Sequence, residues 1–432
     1  MKNTLLLLLL SSLFLGCTKK QDANLLMNSL AEKYVKTILE IGLYDPMYVD
    51  AYYGPEKWKK EVEALKEDEI PVEKLLSRLE QFETALIKIS IDSKEEMLNL
   101  RKQYLQKQLI AVKARVEMLG GKNFTFDEES ERLYDAVVPN FEDEHFAVII
   151  ANLDKFLPGK GDLIDRVAEF NKAFIIPKDK VDVVFRAAIE ESRRRTKIHI
   201  DLPENENFEL EYVTDKAWAG YNWYKGNNFS LIQVNIDFPI LIDRAIDLAS
   251  HEGYPGHHVY NSLLETNLVK NREWVEFSVY PLFSPQSLIA EGTANYGINV
   301  VFPKEDRMKF EKEVLFPLAG LDVSKVDLYY EIQELTHELT YARTVAMRNY
   351  LDGKWSKEET GVWMEKYALR RASESTFRFP ETYRSYIINY NWGQDLVKEY
   401  IESRGGIKEN PAKRWELFTE LISKPQVPEN LR

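Results

Sequence analysis

Apolar residues recur at three- and four-residue spacing from residue 25 to about residue 200, the signature of helices that bury one face. The stretch 94–119 is rich in Leu, Lys, Gln, Glu and Ala, which lose little side-chain freedom in a helix, and Gly120-Gly121 end it. Thr125-Phe126-Asp127-Glu128 reads as a capping box that starts another helix. The spacing predicts a further helix over 177–195, closed by Arg193, Arg194 and Arg195 at the negative end of its dipole. After residue 200 the period shortens to two. FELEYV (208–213) and FSLIQVNI (229–236) alternate and are rich in β-forming residues, so they are expected to be strands of a small sheet, separated by the aromatic segment AWAGYNWYKGNN. Asp237-Phe238-Pro239 supplies a cap and a first-turn proline for a helix running into residue 251. From Ser284 onward the helical period returns, with a capping box at Ser356-Lys357-Glu358-Glu359 and a break at Gly405-Gly406. The pattern predicts a mainly α fold of many helices, with a small β-sheet beside the helix that carries residues 251–258.

The first sixteen residues, MKNTLLLLLLSSLFLG, are a lysine-bearing apolar run too short to span a bilayer as a mature helix but suited to an export signal. Cys17, the one cysteine of the chain, follows Leu15-Gly16 directly. This resembles the lipobox at which bacterial lipoproteins are cleaved and acylated, although Phe14 stands where leucine is commoner. The resemblance implies a lipid on Cys17 as the membrane anchor, with Thr18 implying the outer membrane and a body facing the periplasm. The chain then divides into a signal peptide (1–16), a polar tether (17–24), a helical region (25–200) and a region holding the candidate chemistry (201–432). A net charge of −13 argues against nucleic acid as a partner, because phosphate backbones would be repelled.

Three of the six histidines fall within HEGYPGHH, at His251, His257 and His258. In HExxH, two imidazoles four positions apart share a helix face and one metal ion, while the glutamate between them reaches the attacking water. The spacing here is wider. Residues six or seven apart on a straight helix are separated by about 9 to 10.5 Å of rise, too far to share a zinc ion, so the helix has to break. Pro255 cannot bond the carbonyl of His251, and Gly256 allows unusual dihedrals, so a bulge or kink is expected there. His257 is the second ligand by this reading, with His258 as the alternative. Glu291, in SLIAEGTANYG, is the expected third ligand, and Ala290, Gly292 and Ala294 are small enough for its helix to approach the first closely.

HExxPGHH followed by Glu-Gly on a helix resembles a bacterial family known as domain of unknown function 885, grouped with zincin-like metallopeptidases. The likeness covers roughly 210–400 and includes Arg378 before Pro380 and Tyr390-Asn391-Trp392-Gly393 at the start of a helix; NYLDGKW departs from it, lacking an expected histidine before Trp355. It implies a helical body with a metal in a deep cleft and peptidase activity. The combined expectation is a Zn2+-dependent hydrolase acting on a peptide or small amide, with Glu252 as general base and a further oxyanion donor drawn from Tyr390, Arg378, His258 or His337. FSLIQVNI could offer its edge to an extended peptide. The alternatives are an amidase or esterase on a non-peptide substrate, and a non-catalytic lipoprotein scaffold. His145 and His199 read as packing or surface residues.

Overall fold

The computed structural model describes residues 22–216 and 218–432. The expected signal peptide, Cys17 and most of the expected tether therefore lie outside the described residues. The protein is mainly helical, with two small sheets. Strand β1 (Val49–Tyr52) lies within the otherwise helical first half, while β2 (Asn207–Val213), β3 (Gly220–Gly226), β4 (Phe229–Asn235) and β5 (Val279–Pro281) belong to the second. β1 pairs antiparallel with β5, and a bulge between Val49 and Ala51 leaves Asp50 out of register. Such bulges re-aim a side chain.

The second sheet has the order β2-β4-β3, with β2 parallel and β3 antiparallel to β4. Both expected strands are present, but FSLIQVNI is the central strand with both edges paired, so it cannot take up a peptide by edge pairing. The aromatic segment contributes β3, which the sequence reading treated as a connection. Its Tyr, Trp and Tyr are strand formers, but Gly220 and Gly226 at its ends mask the alternation. β4 turns Ser230, Ile232 and Val234 inward, toward the segment that carries the histidines.

The helices follow the sequence signals closely where caps are explicit. Glu96–Leu119 ends at Gly120, Phe126–Tyr134 begins with the Thr125 capping box, and Lys357–Tyr367 begins with the Ser356 box. The helix expected after Asp237 starts later, at Asp243. Leu241 bridges back to Ile175, and Ile242 donates its N–H to Phe174 O, so tertiary pairing holds the chain extended past Pro239. The larger apolar core runs from Met27 to Leu431 and draws on both halves of the chain, as does a smaller one that packs Phe146, Ile149 and Leu153 with Ile332, Leu339 and Ala342. Within the larger core, Arg101 and Glu276 form a fully buried ion pair that ties the helix Glu96–Leu119 to the turn before β5.

Candidate metal centre

The helix that begins at Asp243 loosens at Ala249–Gly253 into a π-turn, where Tyr254 N–H bonds to Ala249 O at 3.1 Å. It then breaks at Tyr254-Pro255-Gly256, and a new helix, His257–Leu264, sets off. Gly256 N–H bonds to Ser250 O at 2.9 Å, folding the chain back on itself. The need for glycine is steric rather than conformational. Its φ is negative, yet a Cβ there would sit 1.9 Å from His251 O. This folded turn brings the two imidazoles together as expected, with His251 Nε2 and His257 Nε2 3.1 Å apart.

Glu291 arrives from the helix Pro285–Val301. Its Oε2 is 3.2 Å from His251 Nε2 and 3.6 Å from His257 Nε2, and the three side chains are 12%, 12% and 7% exposed. Together they form a group able to hold a metal ion. Two features fit that group to a cation. Glu291 Oε2 is buried and accepts no hydrogen bond among the described residues, while Oε1 accepts one from Tyr386 OH at 2.7 Å. Asn295 donates its amide N–H to Tyr390 O at 2.8 Å, so its Oδ1, 2.9 Å from His251 Nδ1, has to accept. That puts the proton of His251 on Nδ1 and leaves the Nε2 lone pair facing the group. Two nitrogens and one carboxylate oxygen are the donor set of hydrolytic zinc sites.

The three side chains and the carboxylates around them shift one another strongly. Burial pulls the His257 imidazole down, but Glu291, Glu252 and Asp50 overcome it and lift it to about 9. Burial pushes Glu291 up, and His257 and His251 more than reverse that, holding it far below the usual carboxylate range. Glu252 is buried in the π-turn, and burial raises its carboxyl, opposed by His251 and His257. Asn222 of β3 donates to its backbone carbonyl at 2.6 Å, and a Cβ on Gly220 would come within 3.0 Å of its Oε1. β3 is therefore seated directly against the expected general base.

His258, the alternative ligand, turns away: its Nδ1 is 2.8 Å from Ser230 Oγ and its Nε2 is 3.3 Å from Glu206 Oε2. Tyr390 lies against the group, its ring 6.5 Å from that of His251, and its hydroxyl has no protein partner among the described residues. Arg378 is exposed on the helix Glu374–Tyr383, and His337 is exposed near the end of Val326–Glu338; neither makes a bond to the group. Gly292 does not serve an approach to the first helix, as the sequence suggested. It meets Gly393, where a Cβ would lie 2.5 Å from the carbonyl oxygen, and Gly297 is the residue that makes room for Pro255. A surface groove lined by Ala187, Glu190, Arg193 and Phe310 among others lies apart from these residues.

Three neighbours went unread in the sequence. Asp50, half-buried on the β1 bulge, accepts a hydrogen bond from Tyr221 of β3; burial pushes its carboxyl up to about 6, with Tyr221 and His257 pulling down and Glu291 and Glu252 pushing up. Asn295 and Tyr386 are the others. Asn295 lies four residues beyond Glu291 on the same helix face, which was an available signal.

No family model matches the chain, and no curated protein matches it. The resemblance to domain of unknown function 885 thus stands on the motif residues alone. Among solved structures, a protein named "putative lipoprotein" from Colwellia psychrerythraea superposes on 83% of this chain and 68% of its own, with a TM-score of 0.51 at 15% identity. It shares this fold. An M32 carboxypeptidase from Deinococcus radiodurans R1 covers 94% of this chain and 95% of its own, but at a TM-score of 0.40 and 11% identity the likeness is too loose to argue from. No described helix is long and apolar enough to cross a membrane.

Proposed function

We propose that the protein is a zinc-dependent hydrolase that cleaves peptides in the bacterial cell envelope, with His251, His257 and Glu291 as ligands and Glu252 as general base. The observation that carries this reading is the convergence of two imidazole nitrogens and an otherwise unsatisfied carboxylate oxygen beside a second buried carboxylate. Zinc held by that group supplies Lewis acidity, which acidifies water and polarises a carbonyl.

The chain's own residues do the rest. Glu252, raised by burial, is placed to take a proton from the attacking water and return it to the leaving amine. Asn222 and Gly220 fix its position from β3. The unpartnered Tyr390 hydroxyl is the donor best placed to meet the developing oxyanion, whereas Arg378 is exposed and makes no bond to the group. Asn295 and Tyr386 orient His251 and Glu291 so that the lone pairs meet.

The test is Glu252→Gln. Elemental analysis is expected to find metal at wild-type stoichiometry, while hydrolysis of a peptide library falls by a factor of about a thousand or more. Full activity in that variant defeats the reading. His251→Ala is expected to lose the metal. Anchoring follows from the sequence signal and agrees with the name of the Colwellia protein: labelled palmitate is expected on the wild-type protein in cells and absent from Cys17→Ser, which should leave the membrane fraction.

A further inference from the structure

Arg343 stands on the helix Thr340–Leu351, next to Thr344, whose hydroxyl accepts from Asn391 Nδ2 at 2.9 Å. Asn391 in turn adjoins Tyr390, so this hydrogen bond places the arginine's helix alongside the metal centre. Arg343 is half-buried and its Nε is enclosed without a partner. Among the described residues, its guanidinium makes no hydrogen bond or ion pair, and the same is true of Arg370 at the exposed end of the turn after Tyr367. The two cations are near enough to act on each other, and Arg343 also feels Tyr390. Tyr390 for its part feels Glu291 and Glu252. The Asn391–Thr344 bond thus joins the helix of Arg343 to the helix that carries Tyr390, whose ring lies 6.5 Å from that of His251.

Nearby carboxylates are taken. Asp395 accepts from Tyr341 OH at 2.6 Å, Asp165 is paired with Arg371, and Glu381 is shared by Tyr350 and Lys357. Burial lowers the Arg343 guanidinium to about 10, yet it stays charged at neutral pH, as does the exposed Arg370. A half-buried guanidinium whose Nε is enclosed without a partner is unfavourable in the free protein, and its planar fork matches a carboxylate. In a chain of net charge −13, an unpaired cationic pair is an isolated place for an anion.

We propose that Arg343, with Arg370 at the rim, binds the free C-terminal carboxylate of the substrate, so that the protein is an exopeptidase cutting near the C-terminus of peptides. The proposal rests on the peptidase reading above and adds the end of the chain that is recognised. The bond broken is the C–N bond of the peptide: water's oxygen adds to the acyl carbon, and both of its protons end on the released amine, leaving a carboxylate and an ammonium.

The test measures binding of three peptides to the whole zinc-loaded protein carrying Glu252→Gln: trialanine as free acid, trialanine amide, and acetyl-Ala-Glu-Ala amide. The free acid is expected to bind at least about tenfold tighter than either amide, because only it brings a terminal carboxylate to the guanidinium. Adding Arg343→Met should abolish that preference while leaving Tm equal or higher, since the arginine has no protein partner to lose. Arg370→Gln, an exposed change, should reduce the preference severalfold. Equal binding of acid and amide overturns the proposal, as does binding of the Glu-containing amide equal to that of the acid. A preference that survives Arg343→Met while Tm falls assigns the arginine a structural role and also overturns it. Wild-type zinc protein that hydrolyses acid and amide equally would retain the peptidase reading and sink the anchor. Hydrolysis of neither, with the Arg343-dependent preference intact, would retain the anchor and sink the peptidase reading.

Discussion

Asn295 decides which nitrogen His251 presents, because its own amide is committed to the carbonyl of Tyr390. Asn295→Leu is expected to weaken zinc binding by about 10- to 100-fold, measured by competition with a chelator, with all three ligands intact. Glu206 acts at one further remove. It receives Tyr254 OH at 2.6 Å and lies 3.3 Å from His258, the residues that flank the Pro255 turn. Burial pushes its carboxyl up, and His258, Tyr254 and Arg193 overcome that, bringing it down to about 2 from an ordinary value of 4.5. A depressed carboxylate stabilises the fold fully above its unfolded value and loses that contribution as the pH falls through the folded one. The contribution at neutral pH is on the order of 3 kcal/mol. Urea denaturation of wild type and Glu206→Gln should therefore differ most at pH 7, with the gap narrowing below about pH 4.5 and closing near pH 2; a constant gap would count against this role. At this scale the candidate metal group was readable, since His251 and His257 lie in one dense motif and Glu291 in a small-residue helix. Asp50 and Tyr386 were not, because each reaches the group from a distant segment with no spacing that links it to the histidines.

Among the elements, the turn from Ala249 to His257 leaves no room for a side chain at Gly256. The sequence declared its break through Pro255 and Gly256, but not its form, a π-turn followed by a reversal held by Gly256 N–H on Ser250 O. The helices that bear Glu291 and Tyr390 meet through Gly292 against Gly393. Gly292→Ala forces backbone atoms apart, and overpacking of this kind costs about 1 to 3 kcal/mol or more. Chemical denaturation should show that loss, and metal affinity should fall with it because Glu291 is the preceding residue; unchanged stability would mean that the helices can separate freely. Capped helices were legible because each capping box is a local signal of fixed spacing. β3 and the late start at Asp243 were not, since pairing with β4 and with Phe174 and Ile175 settles them, and such partners cannot be seen in a local window.

On the scale of the whole molecule, the first half of the chain is a part of the site. β1 pairs with β5 and delivers Asp50 beside His257, and the buried Arg101–Glu276 pair fastens the same two halves. Arg101 also reaches Asn24 and Asn28, each at 2.7 Å, so its removal leaves Glu276 charged, buried and alone. Arg101→Met is expected to cost about 3 to 5 kcal/mol, read from urea unfolding, and to loosen both halves in one transition. Two separate transitions in the wild-type protein would contradict a shared core. The mainly helical architecture was evident from periodicity, but not this mutual dependence, which is carried by contacts between residues far apart in sequence. The central claim is that His251, His257 and Glu291 hold one zinc ion, and anomalous scattering at the zinc edge from a crystal of the zinc-loaded protein tests it most directly. One peak is expected at about 2 Å from His251 Nε2, His257 Nε2 and Glu291 Oε2 together. A peak on His258 and Glu206 instead, or none at full zinc loading, would contradict the account.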